Sequence, residues 1–261
     1  MKKTLSFLVA GLFGISGVQA AVTLVSGFSR FDQNGGSNIA VSDLGPKTLT
    51  WTLDNATWNN DGTWTSNSAN GTKTSLDVSS LGLSGAAGAQ GYTMNINFLK
   101  AADLANLDSL FSMHTTDSAS NQDSIMGRFE TGNKVGIVNE GSSGGRPASA
   151  LGTAINFNNP FSLTVSVQAG GAYTLFVTQN GVTQSLIWNG KTHNGDFSEL
   201  FIGSWKALNN YQSAATVSGV SFWEGAATEA DLPSVINVPE PATASLGVLG
   251  LGALFLRRRR K

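Results

Sequence analysis

Cysteine is absent from all 261 residues. Thiol chemistry, thiolate metal sites and disulfide staples are thereby excluded, and the fold must hold by packing and hydrogen bonding alone. Histidine is nearly absent. His114 and His193 are too few for a histidine-rich metal centre, and each reads as an ordinary strand or loop residue rather than a catalytic base. Charged residues make up only 13% of the chain. Glu130, Glu140, Glu199, Glu224 and Glu229 are scattered along it, whereas a retaining glycoside hydrolase needs two carboxyl groups about 5 Å apart. One motif, Gly141-Ser142-Ser143-Gly144-Gly145, has the spacing of a nucleophile elbow. Pro147 blocks the helix that should follow, and no Asp or Glu stands between Ser143 and His193, so the stretch reads as a loop.

Long apolar runs occur only at the two ends. Met1 to Ala20 carries Lys2 and Lys3, an apolar stretch from Leu5 to Val18, and small residues at a cleavage-like end, which is the pattern of a secretory signal peptide cut after Ala20 or Ala21. At the other end, Val238-Pro239-Glu240-Pro241 precedes an apolar run from Ala244 to Leu256 and the cations Arg257, Arg258, Arg259, Arg260 and Lys261. The prolines hold an extended, accessible segment. The 13-residue run is short of the ~20 that cross a bilayer comfortably, although tilt or thinning lets a short run span. The five terminal cations resist translocation.

This order resembles the PEP-CTERM sorting signal of Gram-negative exported proteins. The resemblance implies that a membrane transpeptidase-like enzyme of the exosortase type recognises Pro239, Glu240 and Pro241 and removes the helix. It implies as partners the export machinery, that sorting enzyme and, transiently, the inner membrane. The destination is then the cell envelope, outer surface or extracellular matrix. The segments divide as signal peptide (1–20), body (21–236) and sorting segment (237–261).

Without Lys2, Lys3 and the five C-terminal cations, 9 basic residues face 17 acidic ones, a net charge of −8. An acidic body is a poor partner for nucleic acid or anionic lipid. The body is rich in turn formers and short alternating runs. Tyr92, Met94, Ile96 and Phe98 point one way, and Thr93, Asn95 and Asn97 the other. Phe161, Leu163, Val165 and Val167 repeat the pattern. Asn180-Gly181 predicts a tight hairpin between Tyr173–Gln179 and Thr183–Trp188, and Asp61-Gly62 predicts another between Trp58 and Trp64. Further strands are expected at 22–28, 48–53, 110–114, 124–129, 134–138, 200–203 and 216–223, with one helix-like turn over 101–110. About twelve short strands with almost no helix predict an all-β, antiparallel jelly-roll sandwich.

The second half, Phe161 to Leu232, resembles the closing half of a LamG-type, concanavalin A-like jelly roll: a late strand, Val217 to Trp223, followed by a small-residue stretch and an acidic turn that Thr228 can cap before Glu229 and Asp231. Such domains often hold calcium at a sheet rim. The resemblance therefore implies a Ca2+ site, for which Asp54, Asp61 and Asp196 are the candidates, with Asp117 and Asp123 as further loop carboxylates. The same aspartates also serve turns. Trp58, Trp64, Trp188 and Trp205 lie near hairpin ends or loops, where an indole can stack on a sugar ring or simply pack. The polar tip Asn59-Asn60-Asp61 between Trp58 and Trp64 is the candidate carbohydrate contact.

The sequence thus points to a non-catalytic exported module, carbohydrate-binding or adhesive. A glycan hydrolase or lyase on the same fold, or a purely structural surface protein, remains as the alternative. Mass spectrometry of the mature protein should find both ends gone, the amino terminus at Ala21 or Val22. An intact Arg257–Lys261 end in the mature form would contradict C-terminal cleavage.

Overall fold

The structure is a computed structural model that describes residues 22–31, 38–53, 56–66, 75–84, 90–102, 104–105, 107–115, 124–140, 148–168, 172–188, 196–204 and 212–237. Two antiparallel sheets face one another. The larger has β14 (Val182–Trp188), β13 (Tyr173–Gln179), β12 (Phe161–Val167), β7 (Tyr92–Ala102), β16 (Ala214–Glu224), β5 (Thr63–Thr65) and β4 (Thr57–Asn59) in that order, and β1 (Thr23–Phe28) pairs with the other end of β16. The second runs β11 (Ala148–Ala150), β10 (Lys134–Glu140), β9 (Ser124–Glu130), β8 (Ser109–Thr115), β15 (Phe197–Ile202) and β6 (Ser75–Asp77). A small ribbon pairs β2 (Ile39–Val41) with β3 (Thr50–Thr52).

Alternation decides the faces. Met94, Ile96 and Phe98 of β7 and Leu163, Val165 and Val167 of β12 meet Met113, Ile125, Ile137, Leu200 and Ile202 of the opposite sheet in one buried core. Bulges correct the phase where the sequence slips. The register shift between Val217 and Gly219 lets Val217, Val220 and Phe222 all point inward, although their spacing is not strictly even. At the β4–β5 end, Phe28, Phe31, Trp51 and Trp64 form a chain of ring contacts with centroids 5.2 to 6.0 Å apart.

The hairpin signals are realised. Asn180 and Gly181 have φ of 52° and 75°, the left-handed pair that a two-residue turn needs, and they join β13 to β14 in register. The helix-like turn expected over 101–110 is not a helix. Ala101 and Ala102 end β7, Ser109 and Leu110 begin β8, and the described residues between them form a turn in which Asp108 accepts a hydrogen bond from the Ala105 N–H and donates its own to the Ala105 carbonyl. Its polar residues favour this local bonding over a helical ladder. The three-residue strands β2, β6 and β11 are too short to leave a periodic trace in the sequence.

The outward face of the larger sheet is not open to water along its centre. Thr93, Asn95, Thr164, Ser166 and Ser221 are polar yet almost wholly buried. The chain leaves β16 at Gly225 and folds back over them as a strap, through the single turn at Glu229–Asp231 and α1 (Leu232–Ile236). Thr93 donates to the Gly225 carbonyl and accepts from the Ala227 N–H, both at 2.8 Å. Ser166 donates to the Ala227 carbonyl at 2.8 Å, and Asn97 Nδ2 donates to the Ile236 carbonyl at 3.3 Å. The Asp231 carboxylate accepts from both the N–H and the hydroxyl of Thr228, the capped acidic turn that the sequence indicates. Leu232 and Val235 are buried beneath it.

Close packing between β8 and β9 gives a stability test. Gly127 lies opposite Phe111, and a Cβ there would overlap the Phe111 ring. Gly127→Ala should lower stability by about 1–3 kcal/mol, read as a lower urea midpoint with an unchanged slope.

Candidate functional site

The tryptophan hairpin forms as expected, but its chemistry differs. β4 and β5 pair Trp58 with Trp64 around Gly62, whose φ is 82°. Trp64 is fully buried, its ring edge-on to Trp51 at 5.2 Å, so it is core and not a sugar platform. The pleat explains this, since the face of β5 that carries Trp64 is the face packed inward. Trp58 is half-buried against the same core, with its indole nitrogen enclosed. Asn59 spends its amide on the Thr63 and Thr65 hydroxyls, at 2.9 and 3.2 Å. Asp61 accepts from the Thr63 hydroxyl at 2.7 Å and the Thr63 N–H at 3.1 Å. These bonds, the hydroxyl first, hold its carboxyl below the usual range although it is exposed. Only Asn60 remains an exposed residue without a structural duty in the turn. The tip is a self-satisfied turn, not a stacking site.

Of the calcium candidates the structure describes Asp61 and Asp196: Asp61 serves its turn and Asp196 forms an isolated bridge with Ser84. Among the described residues no three His, Asp or Glu side chains stand close enough to share a metal ion. Asp54, Asp117, Asp123, His193, Trp205, the Gly141–Gly145 loop, the cleavage residues Ala20 and Ala21, and the sorting segment from Val238 to Lys261 lie outside the described residues. No helix among the described residues is long and apolar enough to cross a membrane.

A different place gathers polar and aromatic groups. At the end of β7, Ala101 and Ala102 border a groove of about 280 Å3 whose walls are Phe129, Asn133, Phe157 and Asn158, with Leu104 and Asn156. Asn133 closes the β9–β10 turn in the left-handed region at φ 57°. The opposite wall is fixed by backbone and amide bonds: Ala101 N–H to the Phe157 carbonyl at 2.8 Å, and a two-way clamp in which Gln179 accepts from the Asn156 N–H and donates to its carbonyl. The Asn156 carboxamide oxygen accepts the Asn158 N–H at 3.0 Å. Rings continue from the core outward: Phe98 on Phe161 at 4.8 Å, Phe161 on Phe157 at 5.5 Å, and Phe157 on the half-buried Phe129 at 5.3 Å. Asn133 and Asn158 are exposed, and their carboxamides make no hydrogen bond among the described residues. Nearby, Leu107 is held at φ 78° by its N–H bond to the Phe129 carbonyl, a strained setting for a residue with a Cβ. Sequence spacing could not reveal this groove, because the lining comes from β7, the β9–β10 turn and the loop before β12.

Two other features bear on chemistry. A larger groove of about 380 Å3 lies between β1 and the turn after β6, where Lys47 Nζ donates to the Ser80 and Leu81 carbonyls and Glu224 is the only carboxylate among the described lining residues. On the outward face of the smaller sheet, register places Asp77 opposite Glu199, Glu199 opposite His114, and His114 opposite Ser124. The His114 ring is buried edge-on to Phe201, with Nε2 3.1 Å from the Ser112 hydroxyl, and the Asp77 carboxylate accepts from the Ser79 N–H and hydroxyl. Two carboxylates distant in sequence thus become cross-strand neighbours, which a scan for closely spaced acids misses.

Comparison with known proteins agrees at both levels. Residues 237–261 match the PEP-CTERM protein-sorting motif. The chain is therefore that of an exported protein carrying this signal. No curated protein matches the chain in sequence. Among solved structures, it resembles Trypanosoma rangeli sialidase in complex with a difluorinated KDN at a TM-score of 0.55 and 12% identity, over 80% of this chain and 31% of that one. The same sialidase in complex with sialic acid gives a TM-score of 0.55 at 10% identity, over 81% and 32%. The CBM40 of a Ruminococcus gnavus sialidase bound to sialyllactose gives 0.48 at 13%, over 64% and 92%. The chain spans about a third of the trypanosomal enzyme's length, and at these identities the likeness establishes the β-sandwich fold alone.

Asp108, at the turn behind the groove, offers a pH test. Burial raises its carboxyl above the ordinary 3.8, with the Ala105 N–H partly opposing. A raised folded-state value means that ionisation costs stability, a penalty that develops as pH rises through the unfolded carboxylate value toward the folded one. Asp108→Asn keeps an acceptor for Ala105 without the charge. Its urea midpoint relative to wild type should therefore improve as pH is raised from acid to neutral.

Proposed function

We propose that the body is a glycan-binding module displayed at the cell envelope or in the extracellular matrix, taking an uncharged sugar in the groove of Phe129, Asn133 and Asn158. One observation carries the reading: two carboxamides without a hydrogen bond among the described residues flank an aromatic ring in a groove whose described lining holds no charged residue. A carboxamide offers both a donor and an acceptor to adjacent sugar hydroxyls, and a ring offers an apolar face for C–H groups. The groove's volume suits a single sugar residue of a longer chain. The structures that share the fold include sialidases and a module bound to sialyllactose, which supports a saccharide as ligand class. Sialic acid itself is disfavoured, because the described lining of the groove supplies no cation for its carboxylate and the body is acidic. The likeness to LamG modules, the delivery by an exosortase-type enzyme and the passing hold on the inner membrane belong to the same proposal.

An enzymatic reading has one observation of its own, the cross-strand neighbours Asp77 and Glu199. Directly opposed residues have Cβ atoms about 5 Å apart, the scale of a retaining pair. One experiment separates the two. The purified body is titrated against an array of neutral and acidic glycans, with reducing ends assayed in parallel. Binding of neutral glycans, weakened about fivefold to tenfold by Phe129→Ala or Asn158→Ala and unaffected by chelator, supports the module. Release of reducing ends that Glu199→Gln abolishes supports the hydrolase instead. Neither binding nor release would leave a structural surface protein.

A further inference from the structure

The covered outer face of the larger sheet has a consequence for sorting. The strap stays attached to the sheet through Asn97 and the Ile236 carbonyl, and Val235 is fully buried. The sorting signal begins at once: Pro239 follows Ile236 by three residues, so it lies within about 11 Å of a residue bound to the sheet. A processing enzyme takes the chain around its scissile bond as an extended segment, whereas the residues that lead into the signal are bonded onto the sheet face. The apolar run starts at Ala244, eight residues past Ile236, which also limits how far the body can stand from a bilayer that holds the run, to roughly 29 Å at full extension. Release of the strap from Gly225 to Ile236 would add about 43 Å of reach.

We propose that the strap restrains processing: residues 225–237 are part of what the membrane sorting enzyme engages, and the sheet face formed by Thr93, Asn97 and Ser166 competes with that enzyme for them. Cleavage then follows local opening of the strap rather than unfolding of the sandwich. The strap is suited to this, since its bonds to the sheet are few, individually modest and concentrated at three side chains, while the strands beneath it are held by full ladders. Thr93 is the principal latch, because its single hydroxyl joins both ends of the Gly225–Ala227 step. The proposal rests on the sorting reading of residues 237–261.

The test follows conversion of the full-length precursor in a host that carries the sorting enzyme, by pulse-chase and mass of the product. Thr93→Val keeps shape and removes two of the four bonds, and Asn97→Ala removes the one to the Ile236 carbonyl, together with those its Oδ1 accepts from Asn95 and Ser162. Each should shorten the half-time of conversion about fivefold. Val135→Ala, a cavity in the opposite sheet, should lower the melting temperature without changing that half-time. Ten Gly/Ser residues inserted after Asn237 should speed conversion and make it insensitive to Thr93→Val. Equal half-times for wild type, both latch variants and the linker variant would overturn the strap proposal while leaving sorting intact. If the wild-type precursor stays whole, conversion of the linker variant alone supports the strap. Failure of the linker variant as well would overturn the sorting reading, and the strap proposal with it.

Discussion

The pairing of β7 with β16 is the constraint from which the rest of the molecule is built. Both are 11-residue strands, and they run antiparallel side by side along nearly their whole length. β12 pairs with the free side of β7, while β1 and β5 share the free side of β16 at its two ends. In a chain without disulfides, such a pair has to be held by what covers it. Inward it buries Met94, Ile96, Phe98 and Phe222 in the shared core, and outward it buries a polar ladder under the strap. The two coverings differ in kind. The inner one is apolar, large and non-directional. The outer one joins a small set of directed hydrogen bonds, readily exchanged for water when the strap lifts, to a small apolar cluster of Val22, Trp223, Ala227 and Val235.

That difference explains what the sequence discloses. Strict alternation in Tyr92–Phe98 and Phe161–Val167 identifies the strands and their inward sides, because burial of one face imposes a period of two. The same alternation marks Thr93, Asn95, Thr164 and Ser166 as outward and hence as solvent-facing, although they are buried. Their cover is Gly225–Ile236, more than 120 residues downstream of β7, and nothing local encodes it. Turn chemistry is legible for a related reason: Asn180-Gly181 and Gly62 owe their conformations to their own covalent structure.

The candidate site is less legible than the fold. Trp64 illustrates the limit. From sequence an indole beside an Asn-Asn-Asp tip offers a sugar platform, but the pleat turns it into the cluster with Phe31 and Trp51. The groove residues carry no motif, since Asn133 and Asn158 are ordinary turn residues until β7 and the loop before β12 bring them beside Phe129. The same holds for Asp77 and Glu199, 122 positions apart in the chain and opposite one another in the sheet. Function here arises from register, and register is a long-range property.

Where the polar groups are spent finally separates binding from structure. Asn59, Asp61, Asp77, Asn97 and Asp231 all have amides or carboxylates engaged by neighbouring hydroxyls, N–H groups or carbonyls. A polar side chain so engaged fixes a turn or latches a strap, and a ligand would have to displace that bond before gaining its own. Asn133 and Asn158 differ because their amides remain available at a place that an aromatic chain links rigidly to the core. A wall with uncommitted donors and acceptors that is anchored to the core loses little entropy on contact, which is what favours the proposed glycan reading over a purely structural one.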